Sequence, residues 1–296
     1  MAALLLTLLA LDSQAQPRKI KKDKPQPDPV TQSLPELKDP PPAAAGETAR
    51  LVFRVSPLNP KGLLTQQVHE ALKSITQENR GAAIVKLRAF VAGSGDLRRV
   101  QTIVSEFFTD RKQDIPALST IQVGALPMEG AQVVLESIAA EKGEKKSVNP
   151  NGLAFFSGQQ AKDLKQSLSQ LRSAVDSAGL KPAAVLRATC YLNDLDTSTG
   201  AKIAIATAFP AAAVDFVQQQ RLALDAVAEC EAVARLDKPP ASPVQFLNPP
   251  ALARNPNYSQ IVLVNAPRIV FSGTQMAFGE ADQDVRLSFE RLRKAL

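Results

Sequence analysis

The chain has 296 residues, a net charge of +6 and 45% apolar residues, which leaves room for two domains and part of a third. Trp is absent and Tyr occurs only twice, which argues against aromatic platforms for single-stranded nucleic acid. Residues Pro17–Lys24 hold five Lys/Arg and one Asp, so most of the net charge sits in that short stretch and the remainder is mildly basic, giving little support to nucleic-acid partners.

The first stretch is an apolar run, Ala2–Leu11, followed by the small residues Ser13 and Ala15 at cleavage spacing. It reads as a signal peptide over residues 1–15 that lacks a basic n-region, and it predicts an exported, periplasmic or extracellular protein. The run is too short to cross a bilayer, so no stable membrane span is expected. Residues 16–50, rich in Pro and Lys with Pro40-Pro41-Pro42 near their end, read as a disordered linker.

Residues 51–141 read as one folding unit. A strand at Leu51–Val55 and a turn at Pro57–Lys61 lead to a helix with Thr65 as its expected N-cap. Val68, Leu72 and Ile75 recur at four-three spacing and define its buried face. A strand at Ala83–Val91 follows, then a helix with Leu97, Val100, Val104 and Phe107 or Phe108 inward, then strands at Leu118–Val123 and Ala131–Ala139.

Residues 151–235 repeat this β-α-β-α-β-β order. The strand Leu153–Gln159 precedes a helix whose Leu164, Leu168, Leu171 and Val175 share one face, with Gly179 at its C-terminus. The strand Ala184–Leu192 follows, then a helix capped by Asp194 or Asp196 and ending near Phe209. Strand-like runs at Val214–Ala223 and Ala226–Ala234 close the unit. Arg88 aligns with Arg187 and Glu136 with Glu231, a period of about 100 residues, which suits tandem domains. Cys190, sharing a face with Leu186, Ala188 and Leu192, and Cys230 are expected inside the core as reduced thiols.

Residues 236–256 form a Pro-rich linker, after which a third copy begins over residues 257–296. It has strands at Gln260–Val264 and Arg268–Gly273 and a helix with Val285, Phe289, Leu292 and Leu296 at four-three-four spacing. Read this way the third unit stops after its first helix and cannot complete a core alone, so the expectation is that the chain is either a fragment or relies on a partner surface.

Several runs together carry a family resemblance: Asn257-Tyr258-Ser259-Gln260 before Val270-Phe271-Ser272-Gly273, the Phe156-Ser157-Gly158-Gln159 turn, Cys190-Tyr191-Leu192-Asn193-Asp194, and Pro116-Ala117 through Leu126-Pro127 to Leu135-Glu136-Ser137-Ile138-Ala139. The chain resembles the RidA (YjgF, or L-PSP endoribonuclease-like) family. The resemblance implies an α+β, chorismate-mutase-like fold in which three units pack around an axis with a ligand cleft between each pair. Here that becomes an intrachain pseudo-trimer with its third unit incomplete, or one completed by another chain.

The family hydrolyses reactive enamines and imines, chemistry that needs an arginine fork for the substrate carboxylate and a carboxylate to orient water. The arginine position falls on Leu118, in Pro116-Ala117-Leu118. The second unit has no Pro-Ala-Arg run, and Arg221 lies further along its strand. The resemblance therefore implies a binder of a small carboxylate or imine-like metabolite that has lost deaminase activity. The alternatives are an active deaminase using an arginine from a fuller third unit, or a structural, partner-binding module. By resemblance the ligand-lining residues are Tyr258, Ser272, Gly273, Ser157, Gly158, Glu136 and Glu231; no catalytic residue is assigned.

Arg88–Glu136 and Arg187–Glu231 are expected to pair on the sheet face turned toward the other units. No cofactor or metal is expected: the single histidine, His69, sits on an exposed helix face without a ligand cluster.

Overall fold

The computed structural model describes residues 36–143, 147–195, 198–220, 227–277, 279 and 281–296, and Leu37–Leu296 form one compact unit. The expected leader, most of the first linker, Asp196 and Arg221 lie outside the described residues.

After a short strand β1 (Ala43–Gly46), the first repeat runs β2 (Leu51–Val55), α1 (Leu64–Glu78), β3 (Ala82–Ala92), α2 (Leu97–Asp110), β4 (Ala117–Val123) and β5 (Val133–Glu141). Its sheet has the order β2-β5-β3-β4, parallel only between β3 and β4. The second repeat runs β6 (Leu153–Ala161), α3 (Leu164–Ser177), β7 (Val185–Leu192), α4 (Ser198–Ala208), β8 (Ala213–Gln218) and β9 (Ala228–Arg235). Its strands follow the corresponding order β6-β9-β7-β8, again parallel only at β7–β8. Residues 51–141 and 153–235 therefore share one topology.

Each sheet buries one face under its own two helices. Val68, Leu72 and Ile75 of α1 and Val100, Val104, Phe107 and Phe108 of α2 pack on Leu87, Ala89 and Leu135. Leu168, Leu171 and Val175 of α3 and Ile205 of α4 pack on Val185, Ala188 and Ala232. The α1 helix starts at Leu64 after an N-cap Leu63 without a side-chain cap, two residues before the N-cap expected at Thr65. By contrast Asp96 caps α2 and Asp163 caps α3 through their carboxylates. Gly179 closes α3 at φ 73°, where a side chain would be strained.

Both long central strands carry a bulge, between Ile84 and Lys86 in β3 and between Val185 and Arg187 in β7. An extra residue shifts the alternation, so two successive side chains leave on the same face. Val85 and Lys86 in one repeat, and Leu186 and Arg187 in the other, therefore turn away from the helices. This corrects two readings. Leu186 does not share the face of Cys190, and the counterpart of Arg187 is Lys86, while Arg88 corresponds to Thr189. The cross-strand partners fix this, since Arg88 faces Glu136 and Thr189 faces Glu231.

The stretch after residue 236 departs further from expectation. Val244–Leu247 of the supposed linker form a strand, β10, because the four residues lie free of proline between Pro243 and Pro249. With β11 (Ile261–Val264) it extends the second sheet at the open edge of β6, giving β10-β11-β6-β9-β7-β8. Ile261 and Leu263 thereby join the second repeat's core.

The next strand, β12 (Ile269–Ser272), pairs instead with β1 and lies against β3 and β4 of the first repeat. So the end of the expected first linker forms a strand at Ala43–Gly46, because its Ala-rich run offers free backbone groups to β12. Thr48, fully buried, exchanges hydrogen bonds with Ala266 at 2.8 and 3.0 Å and holds the β11–β12 connection. The last helix, α5 (Asp282–Ala295), leaves Val285 and Phe289 exposed.

The two cysteines, expected as reduced thiols, form a disulfide. Cys190 on β7 and Cys230 on β9 stand directly opposite each other with Cα atoms 4.1 Å apart, a proximity that strand assignment alone did not reveal. Both are fully buried. The link spans 40 residues, for which loop-closure entropy corresponds to about 4 kcal/mol. The Cys190→Ser/Cys230→Ser protein is expected to lose about 2–4 kcal/mol of unfolding free energy in urea, and dithiothreitol should abolish the difference from the parent.

Candidate functional site

The helix-free faces of the two sheets pack against each other around a cluster of charges. Arg88 on β3 donates from Nε to Glu136 on β5 at 2.6 Å and from Nη2 to Glu231 on β9 at 2.9 Å. Arg187 on β7 reaches Glu136 at 3.5 Å and Glu231 at 3.4 Å. Each arginine thus spans both carboxylates, one from each repeat. The Thr189 hydroxyl also donates to Glu136, and Arg88 Nη1 donates to the Tyr191 hydroxyl oxygen at 3.1 Å.

Apolar groups seal this cluster on two sides. Phe90, Val123 and Val134 pack with Val217 on one side. Leu51, Phe53 and Ile138 pack with Leu153 and Val233 on the other. Water exclusion strengthens the attraction, and the hydrogen bonds offset the desolvation of the ions.

Burial would raise the Glu136 carboxyl, but Arg187 and Arg88, with hydrogen bonds from Thr189 and Arg88, outweigh it and hold it below its ordinary 4.5. Burial likewise opposes charge on Arg88, yet Glu136, Tyr191 and Glu231 hold its pKa above the usual range. The Tyr191 hydroxyl is pushed up by burial and by Glu231. Asp215 on β8 is nearly fully buried with an unpartnered Oδ2. Burial, then the charge of Glu136, pushes it well above its ordinary 3.8.

Two cavities flank β12. The first, about 420 Å³, lies between Arg98, Gln101, Thr102 and Ser105 of α2, Leu118, and Gly273–Gln275. Its floor is set by backbone pairing: Gly273 donates to Pro42 at 2.8 Å and Thr274 to Leu118 at 3.0 Å. A Cβ at Gly273 would come within 2.9 Å of the Leu118 carbonyl, so glycine permits this approach. The second cavity, about 370 Å³, is lined by Lys86, Arg88, Ser119, Glu136, Arg187 and Thr274 with Phe155 and Phe271.

The residues expected to line a ligand site fall into separate places. Gly273 borders the first cavity, while Ser272 turns its carbonyl to Lys86 at 2.6 Å. Ser157 is occupied by Gln260, which accepts from its hydroxyl at 3.0 Å and from Gln159 at 2.9 Å. Gly158 lies under the Glu229 carboxylate, 1.8 Å from where a Cβ would stand. Tyr258 is exposed and away from both cavity walls. Glu136 and Glu231 belong to the charge cluster rather than to the Gly273 cavity.

The sequence pattern assigned no role to Lys86, Thr189, Tyr191 or Asp215. A charged residue inside an otherwise apolar strand, as in Ala83–Val91 or Ala213–Val217, was the available signal. The parallel registers place Leu118 beside Leu87 and Val214 beside Ala188, so both positions corresponding to the expected arginine are aliphatic. Among the described residues no group of His, Cys, Asp and Glu is arranged to hold a metal ion, and no helix is long and apolar enough to cross a membrane.

Two repeats of one α+β unit, facing each other across their sheets, define the class. Residues 46–141 match the family model described as Endoribonuclease L-PSP, and the chain carries a domain of this RidA-type family. A similar solved structure is a putative endoribonuclease L-PSP from Entamoeba histolytica, 23% identical with a TM-score of 0.27, covering 32% of this chain and 90% of that one. Another is a Rid-family protein, YyfB, from Yersinia pestis, 27% identical with a TM-score of 0.28, covering 31% and 83%. A third is TdcF from E. coli with bound serine, 21% identical with a TM-score of 0.26, covering 32% and 91%. No curated protein matches the chain.

Glu136→Gln leaves Arg88 and Arg187 underpaired in a desolvated site, and is expected to cost about 3–5 kcal/mol in chemical denaturation. Because the Glu136 pKa is lowered on folding, its stabilisation is complete above its ordinary 4.5 and is lost as pH falls through the lower folded value. Asp215 acts oppositely: with a raised folded pKa, its cost sets in as pH rises above 3.8. Asp215→Asn should therefore raise the thermal midpoint at pH 8 and raise it less at pH 4.

Proposed function

We propose that this protein is an exported RidA-type module that binds a small polar metabolite in the cavity between α2, Leu118 and the Ser272–Gly273 turn, and that it does not turn over enamines or imines. The observation that carries the reading is the aliphatic pair Leu118 and Val214. Without an arginine fork, a substrate carboxylate has no bidentate anchor at either position. What is left is a recess with a leucine floor, a wall of prolines, amide and hydroxyl side chains, one guanidinium, Arg98, and one carboxylate, Asp39. Such a mixture of apolar surface and a few polar groups suits recognition of a small molecule.

Export is supported by the apolar run at Ala2–Leu11 and by the Cys190–Cys230 disulfide, since such bonds persist in oxidising compartments. A pseudo-trimeric arrangement is supported by β12, which brings its Ser272–Gly273 turn against the first repeat while β1 pairs with it. On this reading the β1–β12 ribbon and α5 stand where a third unit would.

Incubated with 2-aminoacrylate generated in situ, the purified protein is expected to release pyruvate no faster than buffer does. Rapid release would overturn the assignment and favour an active deaminase. Saturation-transfer NMR with a mixture of small amino acids is expected to show binding to the parent protein. Gly273→Val, which fills the recess beside the Leu118 carbonyl, should lose that signal.

A further inference from the structure

The second cavity contains an amine that the charge cluster does not use. Lys86 leaves β3 at the bulge and enters this cavity, where Nζ donates to the Ser119 hydroxyl and to the Ser272 carbonyl, each at 2.6 Å. Both partners are neutral, and no carboxylate pairs with Lys86 among the described residues. Glu136 and Glu231 are already engaged by Arg88 and Arg187. The Arg187 Nε is buried without a partner.

The charges facing the cavity and its cluster are Lys86 and Arg88 from β3, Arg187 from β7, Glu136 from β5 and Glu231 from β9. With Lys86 protonated they leave one positive charge in excess, and with Lys86 neutral they balance. Tyr191 and Asp215, whose burial favours their neutral forms, do not cancel that excess. A partly buried site of this kind attracts a small anion while Lys86 carries its proton.

We propose that Lys86 captures a small 2-oxo acid as a reversible imine in this cavity. While protonated, Lys86 draws the carboxylate toward Arg88 and Arg187, which line the same cavity, and once Lys86 has released its proton the ketone carbon meets the neutral amine. At about 370 Å³ the space suits a molecule of pyruvate's size, with Phe155, Phe271 and Ile138 against its apolar end.

The step balances without an oxidant. The neutral Nζ lone pair attacks the carbonyl carbon, forming a C–N bond while the carbonyl π pair moves to oxygen. The oxygen gains a proton as Nζ loses one, with the Ser119 hydroxyl placed to relay it. Loss of water breaks the C–O bond and leaves the imine, so one amine and one oxo acid give one imine and one water. A desolvated lysine beside another cation is suited to this role. Burial and then Arg88 lower Lys86 to about 8, so much of it is neutral at mildly basic pH. This site is separate from the Gly273 recess, and either reading can fail without the other.

The full chain would be incubated with sodium pyruvate, reduced with sodium cyanoborohydride, digested and mapped by mass spectrometry. The expected result is one reduced pyruvate on the Lys86 peptide, formed faster than on the exposed Lys73, with a yield that rises as pH passes about 8. Lys86→Arg, with circular dichroism unchanged, should lower total labelling at least about tenfold. No adduct, or labelling spread over exposed lysines with Lys86 no faster, would overturn the proposal. Should Lys86→Arg fail to fold, the site map of the parent protein decides alone.

Discussion

Two arginines and two glutamates, shared between two sheets, are the constraint on which the arrangement depends. Each carboxylate meets an arginine of its own repeat and one of the other. A pair confined to one repeat would not dictate how the sheets meet; a crossed set does, since separating the sheets leaves ions unmatched in apolar surroundings. The clusters around Phe90 and Phe53 supply the hydrophobic area, and the charges select one register from the many that apolar contact alone would permit.

The bulges in β3 and β7 make the crossed set possible. Without the extra residue at Val85, Lys86 would point toward the helices, into a core of leucine and phenylalanine. With it, Lys86, Arg88 and Phe90 all face the other sheet, and the counterpart stretch presents Arg187, Thr189 and Tyr191. The two repeats have diverged within this shared frame: Lys86 is matched by Arg187, Arg88 by Thr189, and Ser119 by Asp215. Arg88 of the first repeat thus donates across to Glu231, and the Thr189 hydroxyl of the second donates across to Glu136.

The two cavities follow from where β12 settles. By pairing with β1 against β3 and β4, it leaves space on either side: one beside α2 and Leu118, the other over Lys86. The comparable turn in the second repeat leaves Ser157 no such freedom, because Gln260 fills the position and accepts hydrogen bonds from Ser157 and Gln159 while donating to Ala253. Equivalent turns, Ser157-Gly158 and Ser272-Gly273, therefore have different roles in one molecule.

What the sequence by itself determined was local and periodic. The helix stripes of α1 to α3, the β-α-β-α-β-β order of both repeats and the aliphatic identity of Leu118 were legible, because spacing of apolar residues sets which face is buried. What only the tertiary structure decided was pairing between distant segments. The Cys190–Cys230 bond, the attachment of β11 to β6 and of β12 to β1, and the bulge that reassigned Arg88 to Thr189 depend on which backbone edges and side chains come together. Strand edges offer the same N–H and C=O groups whatever their sequence, so a linear pattern does not specify which partner fills them.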